Sequence, residues 1–313
     1  MSDNLRRYRA IRNAIKQLYP TEPRGNTARH LNTLAMLISG IVGSKSTHLP
    51  AIAGKAPNGT KKESQVKRFS RWIKNERIEA EIYFLPYADA LLAGLAADHT
   101  LALVMDGSEV GRNCLALMVN GVYKKRALPI GWIVVQGSKR HFPEEAHVQL
   151  LEQVHAIVPE GADVIFLGDG EFDGITLQAT IEDYGWAYVC RTAENIQLEA
   201  DGDRFSFREL RVQPGECIGL PDVTFTLQEY GPVLAIAWWK VGYKEPIYLV
   251  TNMELVREAC YWYGKRFRIE TFFSDSLPDT FLLSVQNRWG SSGDCQRRDT
   301  PLLPIGVPGL VEE

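Results

Sequence analysis

The chain has 313 residues, 45% hydrophobic and 23% charged, an ordinary globular composition with length enough for two domains, which sets disorder aside. Its 35 basic and 38 acidic residues nearly cancel, but residues 1–80 hold 16 Lys and Arg against 5 Asp and Glu, a net of plus 11, and the remainder holds 19 against 33, a net of minus 14. A basic head suits a polyanion through counterion release, whereas an acidic body repels nucleic acid unless cations bridge the two. No segment reaches the roughly 20 apolar residues of a bilayer span; the nearest, Leu31–Val42, is interrupted by Asn32, Thr33 and Ser39. The N-terminus lacks the apolar core of a signal peptide, so a cytoplasmic protein is expected. Cys114, Cys190, Cys217, Cys260 and Cys295 show no metal-ligand spacing and read as reduced core residues rather than zinc ligands or disulfides.

In chain order, residues 1–97 read as helical. Leu5–Tyr19 is basic and amphipathic, Leu31–Val42 apolar, and Glu63–Asn75 places Lys67, Arg68, Arg71 and Lys74 around a stripe of Val66, Phe69, Trp72 and Ile73. That spacing separates a packing stripe from a cationic face. A solvated face explains the helix alone equally well; the charge of the whole segment favours a DNA-contacting one. From Thr100 the pattern changes. Leu101–Met105, Cys114–Val119 and Leu128–Val135 predict three strands, with turns at Gly107–Asn113 and Asn120–Lys125. A helix over Pro143–Val158, a strand at Val164–Leu167, a helix over Gly174–Tyr184 and a strand at Trp186–Cys190 follow, the α/β order of a ribonuclease-H-like core. Residues 193–245 interrupt it as a β-rich insertion carrying Phe205–Phe207, Val223–Leu227 and Val233–Trp239. Ile247–Val250 resumes a strand, and Met253–Ser274 is helical. Residues 277–313, with Pro278, Pro301, Pro304 and Pro308, read as an irregular tail.

Asp106 closes the apolar run Leu101–Met105, and Asp169 closes Val164–Gly168. A carboxylate at the end of a buried strand is held rigidly at the rim of a sheet, and two can aim at one point. Hard cations such as magnesium take oxygen ligands, and two of them at such a site catalyse phosphodiester displacement. The competing explanation is a turn, since glycine follows each aspartate as Gly107 and Gly170. Tyr263, Arg266 and Glu270 are spaced three and four apart, one face of a helix. Arg266 there would keep Glu270 ionised and contact phosphate, with Tyr263 donating to another phosphate oxygen; on spacing alone, a surface Arg–Glu pair is the better explanation. Glu109, Glu171 and Asp173 read as exposed loop charges in preference to acids supporting the ligands from behind, Lys139-Arg140-His141 as a solvated turn in preference to a phosphate contact, and Trp238-Trp239 as packing of a small β core in preference to an aromatic platform for a flipped base. No phosphate-binding Gly-Lys-Ser/Thr loop is present.

Asp106-Gly-Ser, Leu167-Gly-Asp169-Gly-Glu-Phe-Asp and Tyr263-x2-Arg266-x3-Glu270 together resemble the DDE transposases of bacterial insertion sequences, specifically the large family whose last block reads Tyr-x2-Arg-x3-Glu-x6-Lys. The resemblance covers residues 100–276 and, more weakly, Glu63–Ile78. It implies a catalytic domain over 98–276 behind a helical DNA-binding domain over 1–97. It also implies two magnesium or manganese ions on Asp106, Asp169 and Glu270, with Tyr263 and Arg266 on DNA backbone. The activity implied is cutting of transposon ends and joining of a 3′ hydroxyl to target DNA, by a homodimer on terminal inverted repeats in a bacterial, nucleoid-associated setting. The family's closing Lys falls at Leu277, and the tail beyond departs from the family, which leaves a catalytically impaired relic that only binds DNA as one rival and a nuclease on the same core as another. A frame change near codon 276 would account for the departure.

Overall fold

A computed structural model of the chain describes residues 3–57, 59–109, 114–136 and 142–270. The tail with Leu277 and Cys295, the Lys139–His141 turn, and the end of the stretch expected to be helical to Ser274 lie outside these residues.

Six helices come first: α1 (Asp3–Gln17), α2 (Gly25–Ser44), α3 (Leu49–Gly54), α4 (Lys62–Ile73), α5 (Ala80–Tyr83) and α6 (Leu85–Ala96). Helix α2 outruns its apolar stretch because nothing breaks it until Lys45, whose left-handed backbone (φ 51°) lets its N–H reach back to Ile41 O. Phe69 is the fully buried member of the α4 stripe and packs with Met36, Leu37 and Ile52 from α2 and α3, with Val66 and Trp72 at the margin. Helix α6 belongs to the neighbouring core instead, where Leu92 packs beneath the first strands.

Strands β1 (Leu101–Glu109), β2 (Cys114–Tyr123) and β3 (Arg126–Gln136) form an antiparallel meander. The expected turns therefore begin as strand: β1 runs on to Glu109 and β2 to Tyr123, the chain turns at Lys124 and Lys125, and residues 110–113 lie outside the described ones. Gly107 pairs with Leu117 and Asn120 with Val104, because each segment has a partner strand alongside it and the glycines do not force a break. Helix α7 (Glu144–His155) crosses to β4 (Val164–Gly168), and α8 (Ile175–Asp183) crosses to β5 (Ala187–Thr192). Both β1 with β4 and β4 with β5 pair in parallel, as crossover helices require. Glu144 and Glu145 at the start of α7 and His155 at its end suit the helix dipole.

Residues 193–245 are β-rich, and their strands extend the main sheet. Strands β6 (Gln197–Ala200), β7 (Asp203–Ser206), β8 (Cys217–Phe225) and β9 (Tyr230–Trp238) lead to β10 (Ile247–Thr251), which pairs with both β9 and β5. All ten described strands form one sheet in the order β3-β2-β1-β4-β5-β10-β9-β8-β6-β7. Hydrophobic alternation marks strands but not their partners, so a non-local pairing of this kind is invisible along the chain. Trp238 and Trp239 pack partly buried against opposite faces of this sheet.

Alternation along the strands sorts the sheet into two cores. Leu101, Leu103, Met105, Val164 and Phe166 face α7 and α8; Ala102, Val104, Ile165 and Leu167 face α9 (Val256–Arg266), which buries Ala259 and Tyr263 against them. Of the cysteines, Cys114 and Cys190 are buried as expected. Cys217 is exposed on β8, with its Sγ 3.8 Å from that of Cys260 on α9. No described helix is long and apolar enough to cross a membrane.

A single sheet makes the far strands part of the main cooperative unit. Ile236, fully buried on β9 and paired with Leu249 of β10, loses packing on both sides when truncated. Ile236→Ala should cost about 2–5 kcal/mol, with urea unfolding followed by circular dichroism shifting as one transition; a small early transition with the main one unmoved would contradict the continuous sheet.

Candidate active site

The parallel register pairs Val104 with Leu167. Two residues further along each strand, on the same face, come Asp106 and Asp169. Adjacent strands lie roughly 4.8 Å apart, so the pairing that places two apolar side chains together under α9 places the two carboxylates together at its edge. Asp106 is still within β1, paired with Met118 of β2, and its Oδ1 accepts the N–H of Gly107 at 2.8 Å. Asp169 follows the last residue of β4 and begins a turn: its Oδ1 accepts the N–H of Glu171 at 3.1 Å, and its carbonyl accepts that of Phe172 at 3.0 Å. The turn explanation thus fails for Asp106 and holds for Asp169, where it also aims the side chain.

The third element arrives from above. Arg266, at the last turn of α9, is 9% exposed; its Nη1 lies 3.6 Å from Oδ2 of Asp106 and 3.6 Å from Oδ2 of Asp169, and its Nη2 3.5 Å from Oε1 of Glu270. The expected Arg266–Glu270 pair exists, but it is no surface device, since the guanidinium is buried among the acids. The three acids differ in setting, with side-chain exposures of 18% for Asp106, 32% for Asp169 and 58% for Glu270. Tyr263 does not reach solvent. It is 1% exposed beneath α9, an anchor of the helix rather than an open phosphate contact, because the apolar face of the sheet lies directly under it.

Two acids expected to be exposed loop charges turn inward. The buried Phe172 pulls the 169–173 turn against the core. Glu171 Oε1 accepts the N–H of Phe142 at 2.6 Å and lies 3.7 Å from Nε2 of His147. His147 itself is 2% exposed, with neither ring nitrogen hydrogen-bonded. Asp173 Oδ2 accepts the hydroxyl of Thr192 at 2.6 Å. These contacts brace the Asp169 turn from α7 and β5. The sequence signal is Phe172 between two acids, an apolar anchor that brings its neighbours with it. Glu109, by contrast, is exposed as expected.

Hard oxygen donors from Asp106 and Asp169 face one cationic nitrogen at equal distance, which fits the donor chemistry of a magnesium or manganese ion. Among the described residues no three acidic, His or Cys side chains close onto a single point, so the expected triad is gathered around a guanidinium rather than around one shared ligand position.

On α4, Lys67, Arg68, Arg71 and Lys74 are exposed. The first three line a groove of about 400 Å³ with His30 and Thr33 of α2. Arg68 also donates from Nη2 to the Thr33 hydroxyl at 2.9 Å, which fixes its fork at the mouth of the groove.

Burial, and then the neighbouring Asp169, push the Asp106 carboxyl up to about 7, against the opposing pull of Arg266 and the Gly107 N–H. An acid with a higher pKa folded than unfolded binds its proton more tightly when folded, so the metal-free protein loses stability as pH rises from about 4 through 7. Asp106→Asn removes that loss. In the presence of chelator the variant should melt higher than wild type at pH 8, with the advantage shrinking toward pH 4.5 in calorimetry; a difference independent of pH would place the titration elsewhere.

No protein-family model matches the chain, and no curated protein does. Solved structures give loose likenesses. A piggyBac transposase synaptic complex with hairpin DNA is 12% identical over 88% of this chain and 68% of that one, with a TM-score of 0.44. Human ENDOV is 15% identical over 61% of this chain and 94% of its own, at 0.29. Endonuclease V of Ciona intestinalis, in complex with a 24-mer DNA containing inosine, is 12% identical over 61% and 90%, at 0.30. Likenesses this loose assign neither a family nor an activity.

Proposed function

We propose that the chain is a metal-dependent DNA transposase of the DDE type, built on a ribonuclease-H-like core. The observation that carries this is the placing of Asp106 on β1 and Asp169 directly after the parallel β4, with both Oδ2 atoms 3.6 Å from one cation and Glu270 3.5 Å from the same group. Strand order β3-β2-β1-β4-β5, with β1 parallel to β4 and antiparallel to β2, supports the core. The sequence blocks around these residues, with Tyr263 and Arg266, support the reaction class.

Asp106 and Asp169 would hold the cations, and Glu270 would join them on moving inward from its exposed position. Two divalent ions bound there supply activation of a water or 3′ hydroxyl and stabilisation of the leaving oxygen of a phosphodiester. The remaining work belongs to the chain. Asp106 is carried on paired backbone and Asp169 on a turn directly after β4, held by the N–H groups of Glu171 and Phe172, so the ligands need little reorganisation. Arg266 supplies a planar fork of donors suited to a phosphate. Lys67, Arg68, Arg71 and Lys74 give the N-terminal helices a cationic face for the DNA backbone; contacts of that kind position a duplex without reading its sequence. Pairing of two transposon ends by two copies of the chain completes the proposal.

The test is cleavage of a labelled duplex carrying the element's own terminal inverted repeat. Nicking should require magnesium or manganese and fall by on the order of a thousandfold or more in Asp106→Ala and Asp169→Ala; metal-independent nicking, or nicking that survives both changes, would remove the proposal. Leu277 supplies no cation where the related motif has Lys, which favours one second reading, a relic that binds DNA without cutting it. Binding without nicking, with nicking restored by Leu277→Lys, is the result that reading requires. For α4, Lys67→Glu with Arg71→Glu should weaken duplex binding and flatten its salt dependence, the slope falling by roughly 1 for each phosphate the helix no longer neutralises, measured by fluorescence anisotropy; an unchanged slope would return the helix to a merely solvated face.

A further inference from the structure

The Arg266 guanidinium lies where a cation of this site would lie. Its Nη1 is equidistant, at 3.6 Å, from one oxygen of Asp106 and one of Asp169. That is outside the 2.7–3.2 Å range of a good N–H···O bond, and neither Nη1 nor Nε has a hydrogen-bond acceptor although both are buried. A guanidinium has five donors in a rigid fork, and leaving them unmade in a buried place is costly. Here the side chain is held among three carboxylates by charge rather than by directional fit. Among the described residues, no three acidic, His or Cys side chains meet at a point around it.

We propose that Arg266 is a built-in counter-cation of the carboxylate site, which a divalent ion must displace in order to bind. The inference rests on the reading of Asp106 and Asp169 as cation ligands and adds the exchange. A magnesium ion draws its oxygens to about 2.0–2.1 Å, a closure that the guanidinium now prevents. A dication and a guanidinium held a few ångström apart in a buried place also repel strongly, so occupancy is exclusive. The displaced side chain has a way out on the side of Glu270, the most exposed of the three acids, where its fork is free to take a phosphate. Two consequences follow from linkage: metal binds the DNA-free protein more weakly than the carboxylates alone allow, and metal and DNA strengthen each other's binding, since both favour the displaced arginine.

The experiment is isothermal titration of manganese into the full chain, without DNA, for wild type, Arg266→Gln, and each of these with Asp106→Asn. Exchange predicts tighter binding in Arg266→Gln, by on the order of tenfold, and loss of that binding when Asp106→Asn is added. Binding in Arg266→Gln equal to or weaker than wild type, yet still lost with Asp106→Asn, overturns the exchange and leaves the metal site standing. Binding indifferent to Asp106→Asn in both backgrounds overturns the site as well. Because removing one partner of a buried ion pair is destabilising, a second measurement uses the wild-type chain. The arginine side-chain ¹H–¹⁵N signal of Arg266, assigned by its absence in Arg266→Lys, should move during a magnesium titration with the same midpoint as binding; a signal unmoved through saturation contradicts the displacement.

Discussion

Parallel pairing of β1 with β4 is the constraint on which the site depends. The Val104–Leu167 pair is an ordinary apolar contact in a buried ladder, stabilised by the burial of aliphatic surface beneath α9. Because side chains alternate with a period of two, the next positions on that face are Asp106 and Asp169, at the edge of the ladder where apolar cover ends. A slip of one residue on either strand would send one carboxylate to the opposite face. Core packing therefore aligns the two acids, and the crossover helix α7 that parallel pairing demands supplies the braces behind them, through His147 and the segment entering at Phe142.

Electrostatics then decides what the alignment can do. Burial, and then the charge of the neighbouring Asp169, disfavour ionisation of Asp106 and displace its carboxyl upward. Such a pair stands ready for positive charge. Arg266 provides one unit of it from within the chain, but at separations from the two aspartates too long to satisfy its Nη1. The wider charge distribution repeats the theme. The acidic sheet-bearing portion needs cations between itself and a polyanion, while the basic helices present theirs directly, with Arg68 steadied by Thr33.

Local signals in the chain are legible where short-range physics controls them. The apolar runs ending in Asp106 and Asp169, and the three-and-four spacing of Tyr263, Arg266 and Glu270, are properties of single elements. The paired acids and the Arg266–Glu270 contact lie where those signals place them. What the chain hides is non-local. Residues 193–245 are legible as β-rich, but alternation marks a strand without naming its neighbour, and β10 between β5 and β9 is what joins them to the main sheet. Gly107 and Asn120 look like turns because glycine and asparagine favour turns, yet partner strands hold both in extended pairing. Glu171 and Asp173 look solvated because they are charged and follow Asp-Gly, and Phe172 between them turns the segment inward. Spacing sends Arg266 and Tyr263 toward phosphate; with α9 lying on the sheet, Tyr263 is a core residue and Arg266 points at the acids.

Asp106 and Asp169 are placed to share one cation position, defined by the register of two parallel strands. The most direct test is a crystal of the full chain soaked in manganese and measured at the manganese absorption edge. An anomalous peak is expected between the two carboxylates, bonded to an oxygen of each, where Nη1 of Arg266 lies in the metal-free protein. A manganese ion bound only elsewhere, with the Arg266 contacts to both aspartates intact, would contradict it.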